Sequence, residues 1–134
     1  MGLSMGEFRV DAHAKPGIVA LELRGQLTGD EMRAFVVAHN QAIESMRGAP
    51  YRVFCDLRAM LPLSPEASEH LHQAKTFSAA QPNFQGSAVL VASSLVAMQH
   101  RRTSVETGIM ETELISDNEA ACWDYLRRIQ RSRR

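Results

Sequence analysis

Residues 51–77, YRVFCDLRAMLPLSPEASEHLHQAKTF, contain the pattern that decides the fold. Tyr51–Leu57 is an apolar run of strand length, and a short loop follows it. Ser64-Pro65 then places a good N-cap residue before a proline at the first helical position. Apolar residues continue at helical spacing through Phe77. A strand that leads into a helix through a short loop is the repeating unit of an α/β domain.

The segment before this unit predicts a helix with a well-marked beginning. Thr28 and Glu31 form a T-x-x-E capping box, and Leu27 and Met32 occupy the two positions of a hydrophobic staple. Apolar residues recur at helical spacing as far as Met46, where a glycine and then a proline end the helix.

Two strands precede that helix. Phe8–Ala14 is the first, Lys15-Pro16-Gly17 is a turn, and Ile18–Leu23 is the second strand. Because the second run is mostly apolar, we expect it to be covered on both faces of the sheet. The hairpin makes the first strand antiparallel to the second.

The alternation continues after the second helix. Ser87–Ala92, which follows Gly86, is a short apolar strand, and Ser93 or Ser94 caps a third helix that ends near Gly108. The spacing of this helix predicts that one side carries Leu95, Met98, Arg102 and Val105.

The last strand and helix come next. Met110–Ile115 alternates like a strand, and Ser116 with Glu119 predicts a second capping box. The inner face of the last helix is predicted to consist of Cys122, Trp123, Leu126 and Ile129.

The order of elements is therefore β-β-α-β-α-β-α-β-α in a single domain spanning residues 1–134. This order predicts the α/β class, with a largely parallel central sheet, right-handed crossovers and an antiparallel N-terminal edge strand. Ligands and partners of such sheets meet the carboxyl ends of the strands. We call this edge the rim; it comprises residues 24–28, 56–64, 93–94 and 116.

Charge is balanced overall but unevenly distributed. The chain has 15 basic and 15 acidic residues, and five of the basic residues lie in the last eight positions. The remaining body is net acidic, so we expect no nucleic-acid partner. We interpret the terminal arginines as a solvated helix end: Arg127, Arg128, Arg131, Arg133 and Arg134.

The sequence predicts a cytoplasmic protein without a membrane span. It has no run of about 18 apolar residues, and residues 1–6 lack both a charged leader and an apolar core. Gly6 stands where a myristoylation motif needs Ser or Thr. Cys55 and Cys122 each lie in an apolar pattern, so we expect both thiols to be buried, reduced and inert.

No strong motif for catalysis, phosphate binding or metal binding is present. His70 and His72 would point about 200° apart on a helix, so they cannot share a metal. We interpret His39, on the apolar stripe of the first helix, as a core or boundary residue. We interpret His100, beside two arginines, as part of a solvated basic face. The sequence thus predicts no catalytic site, no metal and no cofactor.

Asp56 ends an apolar strand and needs a partner, because an unpaired buried charge is costly. Arg58 or a loop amide is expected to supply one. An enzyme that uses Asp56, His39 or His100 is the least favoured hypothesis, because catalytic groups have to cluster and the sequence shows no such cluster.

Four short motifs, with the order of elements, point to a known family. They are Gly25-Gln26-Leu27-Thr28 at the first helix, Asp56-Leu57 at the end of a strand, Pro62-Leu63-Ser64-x-x-Ala67, and Glu119-Ala120-x-x-Trp123-x-x-Leu126. Together they resemble the STAS superfamily of bacterial regulatory domains, and most closely its SpoIIAA-like branch, from Phe8 to Leu126. The resemblance implies an anti-anti-sigma type of role, in which the protein binds a partner kinase and is switched by phosphorylation.

The phosphorylation mark of that family is Asp-Ser-Ser/Thr-Gly at the start of the second helix. Counting from Asp56 places it over Ser64-Pro65-Glu66-Ala67, and this chain departs from it at all four positions. Proline cannot be phosphorylated, and a glutamate at the acceptor position is a fixed negative charge. The resemblance therefore implies a regulatory domain without the usual switch.

Three hypotheses follow. The first is a non-enzymatic module that binds a protein partner through rim residues Asp56, Arg58, Met60, Leu61, Leu63, Ser64 and Glu66. The second is a carrier of a small apolar ligand or lipid, because residues 60–63 could line an adaptable pocket, although core packing is the commoner role of such residues. The third is the enzyme that uses Asp56, His39 or His100. Separately, the edge strand Phe8–Ala14 could pair with another copy to form a homodimer, although its alternate face is polar.

Overall fold

The computed structural model describes residues 6–132, with side chains described through Ile129. Its elements are β1 (Glu7–Lys15), β2 (Ile18–Arg24), α1 (Gly29–Glu44), β3 (Tyr51–Asp56), α2 (Pro65–Ala79), β4 (Phe84–Leu90), α3 (Ser94–Thr107), a 3₁₀ turn (Met110–Thr112), β5 (Glu113–Ser116) and α4 (Glu119–Ser132). No helix in this part of the chain is long and apolar enough to cross a bilayer.

The five strands form one sheet in the order β1-β2-β3-β4-β5. β1 is antiparallel to β2, and every other neighbouring pair is parallel. Leu21 of β2 pairs with Cys55 of β3, which pairs with Val89 of β4. The predicted α/β class and the antiparallel N-terminal edge strand are confirmed.

The two faces of the sheet are covered unequally. α1, α2 and α3 lie over one face and α4 lies over the other. β3 alternates between two cores: Val53 and Cys55 belong to the larger one beneath the three helices, and Phe54 belongs to the smaller one beneath α4. β2 is not fully covered on the α4 side, where Ala20 and Glu22 remain partly exposed. The expectation that both faces of β2 are buried is therefore wrong, because α4 packs over β3, β4 and β5.

The predicted starts of α1 and α2 are confirmed by their caps. The Glu31 amide donates to Thr28 Oγ1 (3.1 Å) and the Thr28 amide donates to Glu31 Oε1 (2.8 Å), which completes the capping box. The Ala67 amide donates to Ser64 Oγ (3.1 Å), with Pro65 in the first turn of α2. These caps satisfy amides that the helices leave unpaired.

Three local predictions near the C-terminal half need correction. β4 begins at Phe84, so Gly86 lies inside the strand, and β5 begins only at Glu113, after the 3₁₀ turn. Ser116 does not cap α4, because it still belongs to β5. The cap is Asn118, whose Oδ1 accepts from the Ala121 amide (3.0 Å).

The sequence leaves open which side of α3 faces the core. Leu95, Met98 and Val105 are 53, 63 and 57% exposed, and the buried side chains are Val96, His100, Thr103 and Ser104. The apolar residues that recur at helical spacing in α3 therefore lie on its outer face. Polar residues occupy the inner face because they find hydrogen-bond partners inside the protein.

Candidate functional site

The rim is a rigid structure built by backbone pairing. The Gly25 amide donates to the Ala59 carbonyl (2.8 Å), and the Leu61 amide donates to the Gly25 carbonyl (3.0 Å). These bonds join the loops that follow β2 and β3. The side-chain amide of Gln26 adds a bond to the Pro62 carbonyl (3.0 Å).

A second set of bonds fixes the same loop to α3. The side-chain amide of Gln99 donates to the Leu63 carbonyl (2.9 Å), and the Leu63 amide donates back to Gln99 Oε1 (2.9 Å). The loop before α2 and the middle of α3 therefore form one unit. The backbone of this unit is therefore fixed by hydrogen bonds from two sides.

Asp56 finds its partner as predicted. Arg58 donates its backbone amide (3.0 Å) and Nε (3.1 Å) to Oδ1, and its Nη2 to Oδ2 (2.8 Å). Burial raises the pKa of Asp56, but the bonds and charge of Arg58 outweigh burial, so the pKa is lowered and the carboxylate stays ionised. Arg58 also lies 3.6 Å from Glu119 of α4. Among the described side chains, no histidine bonds to Asp56, so the acid–base pair that an enzyme would need is not formed there.

The other predicted rim residues separate into buried and exposed groups. Met60 and Leu63 are buried in the larger core, whereas Leu61 is 46% exposed. Ser64 is exposed and occupied by capping. Glu66 is exposed and lies against the start of α1: a Cβ on Gly29 would be 2.5 Å from Glu66 Cδ, and a carboxylate at a helix N-terminus is favourable.

A small cavity lies in the larger core rather than beneath residues 60–63. Its volume is about 40 Å³, and its lining includes His39, Cys55, Lys75, His100 and Glu113. A volume of this order holds about one to three water molecules. It is too small for a lipid, so this cavity gives no support to the carrier hypothesis.

Sequence reasoning missed a buried polar cluster beside that cavity. Lys75 Nζ lies 3.3 Å from both carboxylate oxygens of Glu113, and His100 Nε2 lies 3.6 Å from Oε2. Ser87 Oγ donates to the same carboxylate (3.0 Å), and Ser104 Oγ bonds both Lys75 and Glu113. The cluster links α2, α3, β4 and β5.

Burial and the neighbouring groups strongly shift the pKa values of this cluster. It lowers the pKa of Lys75 to about 8, against the opposing charge of Glu113. Burial alone would raise the pKa of Glu113, but His100, Lys75 and Ser104 together lower it to about 2. The pKa of His100 is lowered, first by burial and then by the charge of Lys75. The cluster therefore contains a compensated ion pair beside a neutral histidine.

His100 is thus buried, and its interpretation as part of a solvated basic face is wrong. A sequence signal for this burial exists, because His100, Thr103, Ser104 and Thr107 recur at the spacing of one helix face. Hydropathy alone assigns that face to solvent. Only the positions of Lys75 and Glu113, distant in sequence, explain why it turns inward.

His39 and the two cysteines agree with their interpretations. His39 is buried, and burial lowers its pKa despite a contact between Nδ1 and Asn40 Oδ1 (2.8 Å). Both cysteines are buried and free, and burial raises the pKa of Cys55 to about 12. A thiol with so high a pKa is not an effective nucleophile at neutral pH. Within residues 6–129, no group of His, Cys, Asp and Glu could hold a metal ion.

An open groove separates α2 from α3 next to the rim. Its volume is about 380 Å³, and its lining includes Leu63, Pro65, His72, Gln99 and Arg102. The exposed apolar residues of α3 lie on the helix that forms one wall. The groove, the rim and the outer face of α3 therefore make a continuous candidate surface around the Leu63–Gln99 contact.

The predicted basic end of the chain is described only in part. Arg128 Nε lies 3.1 Å from Asp124 on α4, and Arg127 lies 3.9 Å from the same residue; all three side chains are exposed. The side chain of Arg131, the residues Arg133 and Arg134, and the N-terminal residues 1–5 lie outside the described part of the chain.

Comparison with known proteins identifies the fold. The chain is similar to the crystal structure of an anti-sigma factor antagonist from Mycobacterium paratuberculosis, with a TM-score of 0.60 and 15% sequence identity over 93% of this chain and 94% of that chain. No protein-family model and no curated protein matches the sequence. The five-stranded mixed sheet and four helices agree with the fold expected from the sequence motifs. The chain therefore has the same fold as that protein, the STAS fold.

Proposed function

We propose that the chain is a non-enzymatic regulatory module that binds a protein partner through the rim and the outer face of α3. The observation that carries this proposal is the exposure of Leu95, Met98 and Val105 on a helix bonded to the rim loop. Exposed apolar groups on a rigid, rimmed surface are typical of protein-binding sites. The likeness to an anti-sigma factor antagonist supports a protein partner and a regulatory role. A cytoplasmic location remains part of the proposal.

The proposed surface combines apolar and charged groups. Leu61 and Met98 supply exposed apolar area, and Arg58, Glu66 and Arg101 supply charges around it. Met60 and Leu63 support the loop from below. A complementary partner would offer an apolar ridge bordered by charges of both signs.

We also propose that the surface lacks a phosphorylation switch at the start of α2. Pro65 has no hydroxyl, Glu66 carries a carboxyl group instead of a hydroxyl, and the Ser64 hydroxyl accepts a hydrogen bond from a helix amide. Mass spectrometry of proteolytic digests of the protein isolated from its native cells, across growth states, should show no phosphorylated form of the peptide that contains Ser64. A stoichiometric phosphate on Ser64 would contradict this part of the proposal.

The test of partner binding compares matched surface variants. Three tagged proteins are used to recover partners from native cytosol. They are the wild type, a Leu61→Ser/Met98→Gln double variant and a Val37→Ser control. Val37 is 53% exposed on α1 and lies outside the proposed surface. A stoichiometric protein recovered by the wild type and the control, but not by the double variant, is then purified and its affinity measured by calorimetry.

The expected result is at least a tenfold weaker affinity for the double variant and an unchanged affinity for the control. Circular dichroism and a thermal melt establish that all three proteins fold alike. Equal binding by the double variant, or loss of binding in the Val37 control alone, would exclude this surface.

A further inference from the structure

A basic pocket lies at the end of the sheet opposite the rim. It is formed where β2 and β3 begin, next to α4, and has a volume of about 210 Å³. Its lining residues are Lys15, Pro16, Ile18, Arg52, Trp123, Leu126 and Arg127. Three of them are cationic and none is acidic.

Arg52 is the unusual member of this set. Arg52 is only 6% exposed, and its Nη1 donates to the Leu126 carbonyl (2.9 Å). Its Nε has no hydrogen-bond partner, and no carboxylate among the described residues lies within 4.0 Å of its guanidinium. A buried charge without a counter-charge is costly, and proteins rarely keep one unless something compensates for it.

The two other cations are available to a ligand. Lys15 Nζ lies 4.7 Å from the centre of the Trp123 ring, and it makes no ion pair with any described residue. Arg127 is 60% exposed at its side chain, and its contact with Asp124 is long, at 3.9 Å. Such an exposed pair contributes little energy and can yield to a better anion.

Trp123 forms one wall of the pocket and is held firmly. Its ring stacks on Phe54 with centroids 4.3 Å apart, and its Nε1 donates to Glu119 (3.2 Å). The indole is therefore a fixed neighbour of Lys15 rather than a mobile lid. Since it is the only tryptophan in the chain, the tryptophan fluorescence of the protein comes from a wall of this pocket.

We propose that this pocket binds a small phosphate-type anion, such as inorganic phosphate, pyrophosphate or a phosphate monoester. The anion supplies the counter-charge that Arg52 lacks, and Lys15 and Arg127 close around it. Arginine and lysine are the usual phosphate ligands, and a concave site of this size admits a small anion rather than a protein segment. The site is distinct from the partner-binding surface and lies across the sheet from it.

Tryptophan fluorescence of the full chain, titrated with sodium phosphate and pyrophosphate at constant ionic strength, tests the proposal. A saturable change is expected with both anions, and none with sodium chloride. Pyrophosphate should also raise the melting temperature of the wild type, because a ligand that binds only the folded state stabilises it.

Variants assign the effect to the pocket. Lys15→Gln and a Lys15→Gln/Arg127→Gln double variant should weaken pyrophosphate binding by about tenfold or more, since each charge-assisted contact is of that order. Arg33→Gln, on α1 on the other face of the sheet, removes the same charge and should bind like the wild type. Arg52→Met should abolish the response; if that variant does not fold, the double variant decides the result.

Two outcomes would overturn the proposal. One is a response that chloride reproduces, or that Arg33→Gln loses as strongly as Lys15→Gln does. The other is binding only to phosphatidylcholine vesicles that contain phosphatidic acid, with no response to free pyrophosphate, because the cations would then recognise a lipid surface rather than a small anion.

Discussion

At the scale of single residues, we expect Glu113 to matter most for stability, because it is the hydrogen-bond acceptor at the centre of the buried cluster. Lys75 faces it from α2, His100 and Ser104 face it from α3, and Ser87 faces it from β4. Its side chain is only 3% exposed, so the carboxylate depends on these groups rather than on water. Removing its charge would leave the Lys75 ammonium buried and unpaired.

The first prediction concerns acid stability. The pKa of Glu113 is lowered from 4.5 to about 2 in the folded protein, so the unfolded chain takes up the proton first as pH falls. The stability that Glu113 contributes is complete above pH 4.5 and is lost between pH 4.5 and 2, to a total of about 3 kcal/mol. His100, whose pKa is also lowered, contributes in the same direction below pH 6.5.

Urea denaturation of the wild type, Glu113→Gln and Glu111→Gln at several pH values measures this effect. Glu113→Gln should be less stable near neutral pH by about 3 kcal/mol, and its stability should depend less on acid. Glu111 is exposed on the 3₁₀ turn, so its variant should follow the wild type. Parallel pH profiles for all three proteins would refute the role given to Glu113.

Gly86 supports a second prediction at this scale. Its φ is +148°, and a Cβ there would lie 2.8 Å from the Thr112 carbonyl oxygen and 2.7 Å from Ile129 Cδ1. Alanine would be strained and would press on backbone that cannot easily move, so Gly86→Ala should destabilise the protein by about 2–4 kcal/mol.

Gly48→Ala is the matched control, because Gly48 also has a positive φ but nothing lies within 4 Å of its Cβ position. It should cost about 1 kcal/mol from backbone strain alone. Chemical denaturation compares the two. Equal losses would show that the contacts with Thr112 and Ile129 are unimportant.

At the scale of elements, the caps of a helix depend on residues close in sequence, whereas the face that it buries depends on distant residues. The caps of α1 and α2 are local, since Thr28 and Ser64 satisfy amides three residues away. The face that α3 buries is not local. It is determined by Lys75 and Glu113, which make polar residues acceptable in the interior.

The cap of α4 gives the prediction at this scale. Asn118→Ala removes the acceptor of the Ala121 amide and should cost about 1 kcal/mol. Ser116 Oγ accepts from the Asn118 amide in the turn before the helix (3.0 Å), so Ser116→Ala should cost less. Thermal melts of both variants rank the two residues. A larger loss for Ser116→Ala would restore it as the cap.

At the scale of the whole molecule, the proposed partner surface and the basic pocket lie at opposite ends of the strands. The rim and α3 form the proposed partner surface at the carboxyl ends of the strands. The basic pocket lies at the amino ends, beneath α4.

The homodimer through β1 that the sequence suggests is untested, and two features of β1 disfavour it. β1 is an edge strand whose Arg9 and Asp11 side chains alternate with the packed Phe8 and Val10, and its pairing with β2 is irregular between Asp11 and Lys15. Polar groups and irregularity both disfavour pairing of edges. Sedimentation velocity at two concentrations should therefore show a monomer, and a shift toward twice the mass would reveal pairing through β1.

The sequence by itself determined the order of elements, the caps of α1 and α2, the partner of Asp56 and the likeness to STAS domains. These features depend on residues close together in the chain, such as Thr28 with Glu31 or Asp56 with Arg58. Only the tertiary structure decided which face of α3 is buried, that Met60 and Leu63 are core, and that Arg52 is buried beside α4. Those outcomes depend on groups distant in sequence, because whether a polar side chain can be buried is decided by the partners that folding brings to it.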